Sequence, residues 1–210
     1  MSDTPLTSER VLAAAEEVLR RYGPAKATVV DVARALGVSH ASVYKHFPNK
    51  AALRDTVVQI WMDRFTESLQ AIVDEGGPAA PRLHRWLLTL SHAKRSRASD
   101  DPEMFAAYCG LAADAREVVG EHVKHLASQT TQIISDGVKS GEFHSHDPAA
   151  TGRAVLAATA RFHHPAHASE WSDPDIDANF EEVWALILCG LTAKARPCHN
   201  TQGASYETEE

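Results

Sequence analysis

The chain has 210 residues and lacks almost everything that would mark a secreted protein, a membrane protein or a familiar enzyme. Its three cysteines, Cys109, Cys189 and Cys198, lie far apart with no C-x-x-C pair, which argues against a disulfide framework or a four-cysteine zinc site. No run approaches the roughly 18 apolar residues needed to span a bilayer. The opening MSDTPLTSER lacks the basic-then-apolar layout of a signal peptide, so a cytoplasmic protein is expected. G-x-S-x-G, G-x-x-x-x-G-K-[ST], G-x-G-x-x-G and H-E-x-x-H are all missing, so no catalytic residue, metal ligand or cofactor is expected. Alternating strand patterns and internal repeats are missing too.

What is present is enough to build a core. Hydrophobic residues make up 44% and charged residues 23%, with four Trp and six Phe as large anchors. The net charge of −7 is unevenly spread. Residues 1–60 hold eight basic against six acidic groups, and the remaining 150 hold thirteen against twenty-two. Positive potential is confined to the N-terminal end, and an acidic body discourages the rest from lying on a polyanion.

That end carries TVVDVARALGVSHASVYKHF, residues 28–47, followed by Pro48-Asn49-Lys50. Thr28 is placed to cap a helix in which Val29, Val32, Ala33 and Leu36 recur at helical spacing. Gly37 supplies the positive φ where that helix stops, and Ser39 can cap a second helix almost at once. Helix, glycine turn, helix is the layout whose second helix enters the DNA major groove. In that second helix Val43 and Phe47 face inward at i and i+4. Ser39, His40, Ser42, Tyr44, Lys45 and His46 leave a donor-rich outer face.

The stretch resembles the DNA-binding segment of TetR/AcrR-type transcriptional regulators, T-x-x-x-[IV]-A-x-x-x-G-V-S-x-x-x-[VLI]-Y-x-[HY]-F followed by a turn and Lys. Thr28, Val32, Ala33, Gly37, Val38, Ser39, Val43, Tyr44, His46, Phe47 and Lys50 match it. The departures are Ala41, where Gly is frequent, and His40 beside it; both bear on which operator is read. The resemblance covers roughly residues 7–60. It implies an all-α protein: a helix-turn-helix domain at 1–50, and a helical effector-binding and dimerisation domain at 51–196. It also implies a repressor that binds an inverted-repeat operator as a homodimer and is released by a small molecule. Tyr44 and Lys50 are expected on phosphates, with Thr28 and Ser39 at helix N-termini that also favour phosphate. His40, Ser42 and Lys45 are candidates for base edges, and Ala41 for a thymine methyl. The rival reading is a helical ligand- or metal-sensing module that works without DNA.

Elsewhere the pattern is helical throughout. Helices are expected over 7–22, ended by Gly23-Pro24, and over Lys50 to Asp74 as one rod capped by Asn49. Further helices are expected over 81–97, 102–113, 116–140, 149–163 and 175–195, and residues 197–210 read as a disordered tail. The last helix is apolar over most of its circumference, so it is either wholly buried or meets a second copy. The resemblance favours the second, with Val155, Phe180, Trp184, Ile187, Leu188 and Leu191 at the interface. A ligand pocket is expected among Trp61, Phe65, Trp86, Phe105, Tyr108, Phe162 and His163, residues that a closed core would also need. The histidine-rich 161–171 offers near pairs such as His163 and His167, but Pro165 between them spoils a chelating helix.

Overall fold

The computed structural model describes residues 5–64 and 66–193. Within them are eleven α-helices and one 3-10 turn, with no strand. The expected tail at 197–210 and Phe65 lie outside the described residues.

Helices α1 (Ser8–Lys26), α2 (Val29–Leu36) and α3 (His40–Tyr44) form the N-terminal unit. α1 runs one turn past Tyr22 because Gly23, at φ 71°, kinks it, and Pro24 restarts it at a position where its missing N–H costs nothing. Thr28 and Asp31 form a reciprocal capping box on α2, and Gly37 closes that helix in the left-handed conformation at φ 67°. Val11, Val18, Val29, Val32, Val43 and Phe47 are buried between the three helices.

The expected rod from Lys50 to Asp74 is instead two helices, α4 (Lys50–Asp63) and α5 (Thr66–Asp74). Neither Gly nor Pro marks the break, which falls between Asp63 and Thr66. Trp61 and Met62 of α4 belong to an apolar cluster shared with α1–α3, whereas Leu69, Ile72 and Val73 of α5 belong to a second cluster. Arg64, at the break, turns to pair with Glu16 of α1.

The remaining helices are α6 (Ala79–Asp100), α7 (Pro102–Asp114), α8 (Arg116–Ser140), α9 (Pro148–Ala158), α10 (Ala160–His163) and α11 (Ile176–Thr192), with a 3-10 turn over Pro165–Glu170. The first turn of α6 has no side-chain cap of its own; the N–H groups of Ala79 and Ala80 donate to the Glu142 carboxylate at 2.7 and 2.9 Å. The expected 149–163 helix stops at Thr159 and resumes as α10, and Pro165 ends it. α8 and α9 approach closely at Gly152, where a Cβ would meet the Thr131 hydroxyl at 2.9 Å. The cluster built on α1–α3 continues through α4 and α7 to Trp171, and the second cluster fills the space between α5, α6, α8, α9, α10 and α11.

Candidate nucleic-acid interface and effector domain

α3 is held from below and open above. Val43 is fully buried and Phe47 nearly so, while His40, Ala41, Tyr44 and Lys45 are exposed. Tyr44, at 42% exposure, is the largest ring offered to solvent on this helix, and its edge meets the His40 ring at 6.4 Å. Ser39 caps the helix, its hydroxyl accepting from Ser42 N at 3.2 Å and bonding the Ser42 hydroxyl at 2.9 Å. Asn49 accepts from Ala52 N at 2.8 Å and starts α4, which leaves Lys50 exposed at its first turn.

Like Ser39 and Ser42, Thr28 and His46 are engaged within the protein. Thr28 gives both its N–H and its hydroxyl to Asp31, at 3.2 and 2.6 Å, and that carboxylate also accepts from Arg34 at 2.6 Å. Thr28 thus caps α2, with the Asp31 carboxylate at the same helix start. His46 sits 3.4 Å from the Ser8 hydroxyl and ties the end of α3 to the start of α1.

The residues expected around a ligand fall into two groups. Trp61 and Tyr108 stack at 4.7 Å with an interplanar angle of 17°, and Phe105 is tilted against Trp61 at 6.1 Å, all in the cluster that reaches the DNA end. Trp86 and Phe162 belong to the second cluster, where Trp86 donates to Gln129 at 3.0 Å and Phe162 packs edge-on against Phe180 at 5.2 Å. His163 lies beside Thr159, and burial pushes its pKa down to about 4. Lys94 puts its ammonium 5.2 Å from the centre of the Trp61 ring, and burial followed by the Arg97 charge lowers its pKa to about 8. One connection between the units escapes sequence reasoning. The Tyr108 hydroxyl donates to Glu16 of α1 at 2.8 Å, and Arg64 holds the same carboxylate. Burial, and then this bond, raises the tyrosine's pKa.

Residues 11–57 match the model of bacterial regulatory proteins of the tetR family, and residues 79–184 match that of the tetracyclin repressor-like C-terminal domain. The chain belongs to the TetR family. Among curated relatives, the nucleoid occlusion factor SlmA of Marinobacter nauticus is 24% identical over 193 residues, spanning 87% of this chain and 94% of SlmA. Among solved structures, SmeT, the repressor of the Stenotrophomonas maltophilia multidrug efflux pump SmeDEF, matches with a TM-score of 0.67 at 18% identity. It covers 90% of this chain and 92% of SmeT. The transcriptional regulator FadR from Bacillus subtilis, in complex with stearoyl-CoA, matches with a TM-score of 0.62 at 19% identity, covering 88% of this chain and all of FadR's. At these identities the structural likeness speaks for the fold. As a TetR-family protein this chain is a DNA-binding transcription regulator that acts as a dimer and carries a ligand-binding C-terminal domain. That rules against the reading of a sensor working without DNA. No helix among the described residues is long and apolar enough to cross a membrane.

A TetR-family dimer needs a second apolar face, and the structure shows which side chains are free to form one. Val155, Phe180, Trp184 and Leu191 point into the protomer's own core. Ile187 and Leu188 are half-buried. The open faces are Ala154, Ala157 and Ala158 on α9, and Ala185, Leu186 and Cys189 on α11. Leu186, at 75% exposure, is the most exposed large apolar side chain described.

Proposed function

We propose that this regulator is a cytoplasmic repressor that binds an inverted-repeat operator as a homodimer and releases it when a small molecule loads the C-terminal domain. The observation that carries the reading is the split character of α3, with Val43 and Phe47 sealed inward and a donor-bearing face open beside Lys50. In this reading Tyr44 and Lys50 hold phosphates and fix the register; His40, Ser42 and Lys45 read base edges; Ala41 lies against a thymine methyl. Ser39 and Thr28 cap helix starts whose N–H groups also favour phosphate, and His46 belongs to the same DNA-facing set while seating α3 on α1. Homodimerisation buries the open faces of α9 and α11 around Leu186, with Ile187 and Leu188 at the margin and the expected Val155, Phe180, Trp184 and Leu191 supporting them from behind.

The effector acts on the aromatic group Trp61, Phe105 and Tyr108. That group lies between the C-terminal domain and α4, whose first turn carries Lys50. A ligand shifts the operator-bound population only by its difference in affinity for the two forms, roughly 1–3 kcal/mol in regulators of this sort. A gel shift against DNA flanking the protein's own coding region tests the proposal, and a retarded band competed by unlabelled flank but not by bulk DNA is expected. The likeness to SlmA supports a second reading, in which DNA binding serves nucleoid occlusion. Binding sites scattered along the chromosome, with none at a promoter, would favour it.

A further inference from the structure

We infer that the cleft between α6 and the 3-10 turn is a binding site for a small organic anion with a flat apolar body, and that the effector enters there. The inference rests on the effector-responsive reading above. The cleft, open to solvent on one side, offers about 380 Å³, within the usual span of small-molecule sites, and none of the residues expected from sequence around a ligand lines it. One wall is a single face of α6, on which His92, Arg95, Ser96 and Ser99 recur three and four residues apart. The other wall is Ala168, in the turn, with Trp171 and Ser172 just after it.

The chemistry of this lining selects the ligand. It offers one guanidinium, one imidazole and three hydroxyls, and no carboxylate. Of the nearby acids, Glu170 and Asp173 are engaged by Arg161 at 2.8 and 3.6 Å, and Asp100 accepts from the Ser99 hydroxyl at 3.5 Å. Arg95 is the anchor: its side chain is 21% exposed and pairs with Asp177, in the first turn of α11, which is 67% exposed. An ion pair with so open a partner is weakly held, and Asp177 returns to water at little cost if a ligand anion takes over the guanidinium. Ser96 and Ser172 can add hydroxyl donors, whereas Ser99 turns its own hydroxyl to the Ser96 carbonyl at 3.0 Å. Trp171, 6% exposed, gives its N–H to the Arg161 carbonyl at 2.8 Å and, with Ala98 and Ala168, makes up the apolar part of the lining.

Position links the cleft to DNA. The Trp171 ring meets Phe105 at 5.8 Å, and Phe105 meets Trp61 of α4 at 6.1 Å. A ligand against Trp171 therefore presses on the chain of rings ending at the helix that carries Lys50. Drawing Arg95 from Asp177 also releases a tie between α6 and α11.

Calorimetry on the full-length protein without DNA, using phenylacetate, phenyl phosphate and neutral phenylacetamide, tests the site. At least one anion is expected to bind, the amide about tenfold or more weaker, and the ratio between the anions tells carboxylate from phosphate. Arg95→Gln should weaken the anion about tenfold or more, and Ser99→Trp, from an exposed position, should fill the cleft and abolish binding. Lys124→Gln, on α8 away from the cleft, should change nothing. Neither anion binding at up to about 10 mM, or Arg95→Gln binding like the wild type, would overturn the site. Gel shifts are read separately. An anion that binds through Arg95 yet leaves operator affinity unchanged upholds the site and overturns its effector role. A protein that never binds DNA overturns the repressor reading, while calorimetry still decides the cleft.

Discussion

Tyr108→Phe removes one oxygen from the junction between the DNA reader and the effector domain and keeps the ring that stacks on Trp61 at 4.7 Å. The oxygen donates to Glu16 at 2.8 Å, and the carboxylate, 28% exposed, keeps Arg64 when the tyrosine is gone. A hydrogen bond to a charged group contributes about 1.5–3 kcal/mol, and with Arg64 and water still serving Glu16 the loss should be nearer about 1–2 kcal/mol. Urea unfolding should show it as a lower midpoint with an unchanged slope. If the bond differs between the DNA-competent and released forms, operator affinity moves as well, about fivefold for each 1 kcal/mol of difference. Glu16→Gln completes a double-mutant cycle, with a coupling of about 1 kcal/mol expected. Additivity within about 0.3–0.5 kcal/mol would mean that the two side chains touch without interacting, and the junction would have to be held by apolar packing alone.

On the DNA face, Tyr44→Phe and Lys50→Ala should weaken binding to all sequences alike, and Lys50→Ala should lower the salt slope by about one unit in a titration, while changes at His40 or Lys45 alter base preference. Leu186→Glu should leave the protomer folded and shift it to monomer in sedimentation, since burying an unpaired carboxylate at the seam costs several kcal/mol. Acidification should destabilise the fold. Burial holds His163 at about 4 and His122 at about 3, against 6.5 for free histidine, so below pH 6.5 the unfolded chain takes up more protons. Stability is thus full above pH 6.5 and declines toward pH 4, measurable as a falling urea midpoint. His163→Gln should flatten that decline.

The helix-turn-helix was legible because its information is local: caps, a positive-φ glycine and inward residues four apart all sit within twenty residues. Helix identities followed from periodicity for the same reason. The break after Asp63 was not legible, because neither Gly nor Pro marks it. Periodicity marked α11 as apolar on most sides but could not tell the side facing its own protomer from the open one. Phe180 and Trp184 were therefore expected at the interface, while Leu186, on the same apolar helix, was not assigned to it. The Tyr108–Glu16 bond joins residues 92 apart and the Arg95–Asp177 pair residues 82 apart. Each partner alone reads as an ordinary surface or core residue. The cleft between α6 and Trp171 exists only because those segments meet.

In vitro selection from randomised duplex DNA, read at constant salt with the wild-type protein, tests the central claim most directly. Two protomers presenting α3 about a two-fold axis should enrich an inverted repeat, its half-sites set by the separation of the two recognition helices. Enrichment of an asymmetric single site, or of no sequence above bulk DNA, would contradict an operator-binding dimer.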